Sequence, residues 1–176
     1  METYSWLSAG GSLANFLEHI CMYGGQPPRL ADTLNIPLKR AKVIYDRFWD
    51  VNVGLGRLKR YLEWYHKKHG FIRTIDGRPI YARKVGDLIN YLFQSTGTIL
   101  MKQSVILLDD WVKQTNLNGF KILDYHDEGA YDCSEEDAPQ IARLAEMSVR
   151  KAGEMFNLNV PLIAKAKLGR SWKDVH

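Results

Sequence analysis

The sequence predicts an α+β protein, rich in helix and carrying a small antiparallel sheet. Three observations predict it. Apolar residues recur at helical spacing through most of the first seventy residues, again after Asp87, and again after Ser134. Asp76-Gly77 stands between two short extended runs and is the strongest short hairpin signal in the chain. The run Leu123 to Asp132 reads as a second hairpin with His126-Asp127-Glu128 at its tip. This order and these proportions place the chain in the α+β class.

In order along the chain, Leu13, Phe16, Leu17 and Ile20 share one face of a helix over Ser12 to Tyr23, which Gly24-Gly25 stop. Pro27-Pro28 mark a turn, and Leu30 to Leu34 suit a short helix. Pro37 opens a longer helix with a stripe of Ala41, Ile44, Tyr45, Phe48 and Trp49. Gly54 and Gly56 are expected to break the chain before a helix over Leu58 to Lys68 that stops at Gly70. Phe71 to Thr74 and Pro79 to Tyr81 form the first hairpin. A long helix over Asp87 to about Lys113 turns Leu88, Leu92, Ile99, Leu100, Val105 and Leu108 inward. After the second hairpin, Ser134 and Asp137 resemble a capping box at the head of a helix carrying Ile141, Leu144, Ala145 and Met147. Val160 to Ala166 reads as a last strand.

Length and composition bound the function. With 176 residues the chain is long enough for one well-buried core, and 45% hydrophobic with 25% charged residues is ordinary for a soluble protein. Lys and Arg exceed Asp and Glu by 24 − 20 = 4, a mild excess compatible with a nucleic-acid partner. Its distribution is more telling: Lys39 to Lys84 is dense in Lys and Arg and interleaved with Tyr61, Trp64, Tyr65 and His66. Within it, Tyr61, Trp64 and Tyr65 at helical spacing read as core packing rather than base stacking. Cys21 and Cys133 are too few and too far apart for a disulfide framework or a metal motif. Met1 to Trp6 lacks the features of a signal peptide, and no apolar run is long enough for a membrane span. A cytoplasmic setting follows, the host cytoplasm if the source is viral.

Two adjacent carboxylates at a strand corner are costly unless a positive charge sits beside them, and a divalent metal is the usual occupant. Tyr23-Gly24 at a helix end, Asn90-x-x-x-Gln94-Ser95 on a helix, His126-Asp127-Glu128 on a hairpin and a closing Trp172-x-x-x-His176 follow in that order. This ordered set resembles the C-terminal part of a family A DNA polymerase, the class of bacterial DNA polymerase I. The stretch Gly70 to Arg78, on through Gln94 to Gly97, looks especially like the branch found in short-tailed phages. The resemblance covers nearly the whole chain. It implies a fingers-like helical region over 1–70 and a palm-like region over 71–176 that carries the hairpin and the C-terminal strand.

The resemblance also implies roles. Asp127 matches the family's second catalytic aspartate and Glu128 an auxiliary acid beside it. Both would bind metal in a two-magnesium centre for nucleotidyl transfer. His126 would face the primer terminus. Asn90 and Gln94, four residues apart on one helical face, would reach the minor groove of primer-template DNA, where acceptors are nearly the same for every base pair. Arg78 and Arg73 of the Asp-Gly hairpin would lie near the DNA backbone. Tyr23, His19 and Asn15 occupy the nucleotide-binding positions of the fingers helix.

Two departures matter. The family's first catalytic aspartate lies on a strand upstream of the fingers, and the chain is expected to begin after it, so the centre would be completed by another chain. The fingers helix of the family carries Arg, Lys and an aromatic residue where counting back from Tyr23 finds Gly11, Asn15 and His19. A neutral Asn cannot offset triphosphate charge as Lys does.

Three readings follow. The first is a C-terminal subunit or fragment of a DNA-directed DNA polymerase, with an N-terminal polymerase subunit as partner. The alternative is a catalytically inactive, polymerase-derived protein that binds DNA or protein. The third is a helical module in which Arg57 to His69 supplies all the DNA affinity. Strands flanking the triplet lack their upstream neighbours, so a partner chain or self-association is expected to cover them.

Overall fold

The computed structural model describes residues 20–125 and 128–175. These residues divide after Ser95 into two compact units.

In the first unit, Ile20–Met22 are helical and the chain turns at Tyr23-Gly24. Gly24 takes φ +76° and the Gly25 amide donates back to the Ile20 carbonyl at 2.8 Å, the closure that a left-handed glycine gives a helix end. A side chain on Gly24 would overlap the Asp87 carboxylate. Helix α1 spans Pro27–Leu34. The expected turn at Pro27-Pro28 is instead the head of this helix, because a first-turn residue needs no amide donor and the proline ring already holds a helical φ. Asn35 ends α1 in the left-handed region at φ +50°.

Helix α2, Leu38–Val51, follows Pro37 and buries Ala41 and Tyr45 on the expected stripe. Helix α3 spans Val53–His69 and ends at Gly70, φ +79°. It runs straight through Gly54 and Gly56, which correct the expected chain break. The reason is packing: a Cβ at Gly56 would sit 2.9 Å from the Trp49 carbonyl oxygen, so glycine is what lets α3 start so close to the end of α2. Asn52 joins the two, its amide and its side-chain Nδ2 both donating to the Phe48 carbonyl.

Two clusters form the core of this unit. Ile20, Cys21, Leu30, Ala31, Ala41 and Tyr45 make one. Leu62, Ile72, Leu88 and Ile89 make the other. Trp49 packs against both, and its indole Nε1 is buried with no hydrogen-bond partner among the described residues.

Strands β1 (Ile72–Arg73) and β2 (Pro79–Ile80) pair antiparallel, Ile72 opposite Ile80. Between them the Gly77 amide donates to the Thr74 carbonyl at 3.0 Å and Gly77 takes φ +86°. This is a tight turn followed by a left-handed glycine, as Asp76-Gly77 predicts. Asp76 accepts from the Thr74 hydroxyl and from the Arg78 guanidinium. The Thr74 hydrogen bond first, then the Arg78 donors, hold its carboxyl below the usual range.

Helix α4, Leu88–Gln114, contains the division between the units. Of its expected inward residues, Leu88, Ile99, Leu100 and Leu108 are buried and Leu92 and Val105 are half-buried. In the second unit Leu108, Val112 and Ile141 make the core, with Tyr131, Cys133 and Leu144 against it. Strands β3 (Gly119–Tyr125) and β4 (Glu128–Cys133) pair antiparallel from Gly119↔Cys133 to Tyr125↔Glu128, with a bulge at Ile122 between Lys121 and Leu123. The protein is therefore α+β and helix-rich, with two separate two-stranded sheets among the described residues.

Helix α5, Ala138–Met155, has Asp137 at its cap. Half of the expected capping box forms: the Asp137 amide donates to Ser134 Oγ at 3.3 Å. The carboxylate accepts from the Asn118 amide at 2.9 Å and from the Ser134 hydroxyl at 2.8 Å, tying the helix head to the root of β3. These two hydrogen bonds hold the Asp137 carboxyl below its ordinary value. A depressed folded pKa adds stability that is full above the unfolded value and lost as pH falls through the folded one. The stability gap between the protein and Asp137→Ala is therefore expected to be constant above pH about 4 and to close below it. Urea midpoints taken at pH 7, 4 and 3 check this.

Two expectations for the C-terminal part are corrected. Met147 lies on the solvent side of α5, 56% exposed, while Ile141 is buried. The segment 160–166 forms no strand and pairs with none among the described residues. It is held along α5 instead: Leu162 fills the space left by Gly153 and the Ala166 amide donates to Glu146 Oε1 at 3.0 Å. Helix α6, Trp172–Val175, is nucleated by Asp174, whose Oδ2 accepts from the Arg170 and Ser171 amides and the Ser171 hydroxyl.

Candidate nucleic-acid interface

The sequence points to two groups of site residues, one in each unit. In the first, Asn90 is half-buried and Gln94 exposed on α4. Residues four apart on a helix are neighbours on its surface, so one ligand can meet both amides. Tyr23 is 46% exposed, just after helical Ile20–Met22. His19 and Asn15 lie outside the described residues.

Around Gly24 opens a polar cleft of about 420 Å³, lined by Gly24, Gln26, Lys59, Glu63, Lys84, Gly86 and Asp87. Lys59 and Glu63 pair across one turn of α3. Sequence reasoning missed this cleft, since its walls come from three separated segments; the only local signal was the Lys-x-x-x-Glu spacing, which is common on helix surfaces.

Arg78 and Arg73, expected at the DNA backbone, both have partners inside the hairpin. Arg78 Nε lies 2.8 Å from Asp76 Oδ2, with its side chain 67% exposed. Arg73 donates to the Gly77 carbonyl at 2.7 Å and to the Tyr65 hydroxyl at 3.3 Å. A second ligand would share these guanidiniums rather than find them bare.

In the second unit the hairpin closes with Tyr125 opposite Glu128, the last described pair. Glu128 is exposed; His126 and Asp127 lie outside the described residues. Trp172, of the closing Trp-x-x-x-His, packs edge-on to Tyr125 with ring centroids 6.2 Å apart. The Trp motif and the hairpin end, 47 residues apart in sequence (172 − 125), thus meet. The hairpin is anchored on α4 by the Tyr131 hydroxyl, which donates to Asp109 Oδ1 at 3.2 Å. Burial, then the Asp109 charge, keep that phenol protonated well above its usual range. Asp124 is ion-paired to Lys121 at 2.7 Å.

Among the described residues no three His, Cys, Asp or Glu side chains are grouped to hold a metal ion. Burial raises the Cys21 thiol to about 11 and, with the nearby Asp132 and Asp137, raises that of Cys133. Both are therefore poor nucleophiles at neutral pH. No helix among the described residues is long and apolar enough to cross a membrane.

A model of DNA polymerase family A matches residues 14–174, nearly the whole chain. The chain belongs to DNA polymerase family A. It is 30% identical over 114 residues to the DNA-directed DNA polymerase of Escherichia phage Phieco32, covering 61% of this chain and 19% of that protein. It is 26% identical over 152 residues to DNA polymerase I of Aquifex aeolicus, covering 82% of this chain and 25% of that protein. Among solved structures, the polymerase domain of Pol1 from M. smegmatis, in complex with DNA primer-template and dNTP, matches with a TM-score of 0.80 and 25% identity. That match covers 91% of this chain and 30% of the other. The family A chain described here thus spans about a fifth to a quarter of the length of these curated relatives. The phage and bacterial kinship agrees with the family reading of the ordered motifs, and the helix-rich α+β fold agrees with the polymerase domain.

Proposed function

We propose that this chain works as the fingers-palm part of a DNA-directed DNA polymerase, contributing primer-template contacts and one metal-binding carboxylate to a nucleotidyl transfer centre completed by another chain. The observation that carries the reading is the match, over 91% of the chain, to a polymerase domain in complex with primer-template and dNTP. In this reading residues 1–70 serve as fingers and 71–176 as palm.

Asn90 and Gln94 donate their amide N–H groups to minor-groove acceptors of the terminal base pairs. Those acceptors sit in nearly the same places for all four pairs, so the amides sense correct pairing without reading sequence. Arg73 and Arg78 add positive charge near the backbone. Glu128 beside Asp127 offers the hard oxygen ligands that magnesium takes, which fits one side of a metal site; the rest of the ligands come from the completing chain. Magnesium, when bound, supplies Lewis-acid stabilisation of phosphoryl oxygens. His126 faces the primer terminus, and Tyr23 with His19 and Asn15 borders the incoming nucleotide. The need for a completing chain is supported by the hairpin itself, where Phe120, Ile122, Leu123 and Tyr125 are all exposed; edges and apolar faces of this kind are usually covered.

The contacts are tested by primer-template affinity. A net hydrogen bond contributes about 0.5–1.5 kcal/mol, so Asn90→Ala and Gln94→Ala should each weaken binding by roughly 2- to 10-fold. The double variant should also narrow the preference for a matched over a mismatched primer end. Unchanged affinity and unchanged matching in the double variant would remove the minor-groove role.

A second reading rests on Gly11 and Asn15, which stand where the family has Arg and Lys. In it the chain binds DNA or protein without catalysis. DNA binding that is indifferent to magnesium and to a matched nucleotide distinguishes it from the first.

A further inference from the structure

The aromatic stripe on α3, which its spacing suggests is core, faces solvent instead. Tyr61 is 54% and Trp64 55% exposed, and Tyr81 beyond the hairpin is 73% exposed. Their rings belong to one continuous series within the first unit. Trp64 and Tyr61 lie 6.0 Å apart, Tyr61 and Tyr65 5.9 Å, Tyr65 and His69 4.3 Å, Tyr65 and Phe71 6.0 Å, and Phe71 and Tyr81 5.8 Å, centroid to centroid. Helical spacing aligns the first four, and the turn at Gly70 hands the series on to the hairpin.

Cations are set on the same series. Lys68 Nζ is 5.4 Å from the centre of the Trp64 ring, and the Arg73 guanidinium is 5.2 Å from that of Phe71. The surrounding charge is one-sided: residues 57–84 hold nine Lys and Arg (Arg57, Lys59, Arg60, Lys67, Lys68, Arg73, Arg78, Arg83, Lys84) against two carboxylates, Glu63 and Asp76. Both carboxylates are already ion-paired, to Lys59 and Arg78. An exposed aromatic surface with Lys68 and Arg73 set against its rings, on a segment with an excess of cations, is poorly suited to an apolar protein face, which would have to bury those charges. It suits a polyanion that also carries flat rings.

We propose that the Tyr61-Trp64-Tyr65-His69-Phe71-Tyr81 surface is a binding platform for single-stranded nucleic acid, with bases stacked on the exposed rings and phosphates held by Lys67, Lys68 and Arg73. Stacking on a protein ring needs a base whose own face is free, so a single strand fits and a paired duplex does not. Every base has such a face, so the platform tolerates any sequence. This surface is separate from the Asn90 and Gln94 contacts, which require a duplex groove. The inference goes beyond the polymerase reading and stands on the geometry of one unit alone.

The test measures binding of a fluorescent oligo-dT of about twelve nucleotides to the full chain, at two salt concentrations, beside a blunt duplex of the same length. Tyr61→Ala with Trp64→Ala removes two half-exposed rings. It is expected to weaken oligo-dT binding by roughly 10- to 100-fold and duplex binding by less than about threefold. Trp64→Phe keeps a ring and should restore most of the affinity. Lys67→Ala with Lys68→Ala should lower affinity and flatten its salt dependence. Circular dichroism and the urea midpoint report folding of each variant, and Met147→Ala, at a solvent-facing position of α5, serves as a control that should leave oligo-dT binding unchanged. Oligo-dT affinity within about twofold of the parent in a folded Tyr61→Ala, Trp64→Ala chain overturns the proposal. So does equal loss for duplex and single strand, which would mean charge alone, or ring-dependent self-association with no oligo-dT binding, which would mean that the surface meets a second copy.

Discussion

Asp127→Ala is expected to reduce primer extension by about a thousandfold, close to 4 kcal/mol at 1.36 kcal/mol per decade, in the complex that carries the rest of the polymerase centre. The residue stands between Tyr125 and Glu128, the pair that closes the β3–β4 hairpin. In the proposed function it is a direct ligand of catalytic metal. Removing such a ligand removes charge stabilisation from the transition state rather than from substrate binding, so the rate falls while primer-template affinity holds within about threefold. Glu128→Ala should be milder, roughly 10- to 50-fold, since its role is auxiliary. Asp124→Ala is the control. That carboxylate lies on β3 and is ion-paired to Lys121, and its loss should leave extension unchanged. Single-turnover extension by the complex separates these outcomes. Full activity in Asp127→Ala would leave the non-catalytic reading standing.

The second large effect is on stability. Leu30→Ala is expected to cost about 2–5 kcal/mol, comparable with the whole stability of a small domain. Leu30 is fully buried in the cluster with Ile20, Cys21, Ala41 and Tyr45. Its loss opens a cavity against α2, and Ala41, also at 0% exposure, has only a methyl group, too short to fill it. The same truncation at a solvent-facing site should be nearly silent. Ile122→Ala, at a β-bulge and 58% exposed, should change the urea midpoint of the free chain by less than about 0.5 kcal/mol equivalent. Comparing the two midpoints checks both claims. If a completing chain covers the β3–β4 face, Ile122→Ala should instead weaken its assembly with that chain.

Legibility in the sequence followed how local the cause was. The stripe of Ala41, Ile44, Tyr45, Phe48 and Trp49 needs only helical periodicity, and α2 appears where it predicts. Asp76-Gly77 needs only the left-handed freedom of one glycine, and Gly77 takes φ +86°. The antiparallel pairing of β3 with β4 was likewise readable, from the extended runs on either side of the triplet. Of the candidate site in the first unit, what the sequence made legible is that Asn90 and Gln94 share a helix. Its cleft was not, because Gln26, Lys59 and Asp87 are brought together only by the packing of α3 against the head of α4.

By itself, then, the sequence determined the α+β class, the main helices, the Asp76-Gly77 hairpin, the extended runs of β3 and β4 and the ordered motifs that mark family A, since each depends on backbone preferences or side-chain spacing within a few residues. Tertiary structure alone decided the remainder. Gly56 stands inside α3 because the Trp49 carbonyl lies where a larger side chain would go. Residues 160–166 stay out of a sheet because α5 offers Gly153 and Glu146 as a seat. Tyr61 and Trp64 face outward although their period is that of a core stripe, because the same helix buries Leu62 on its other side against Ile72 and Leu88. Periodicity says that a helix has two faces; only the neighbour it packs against selects the one that leaves water.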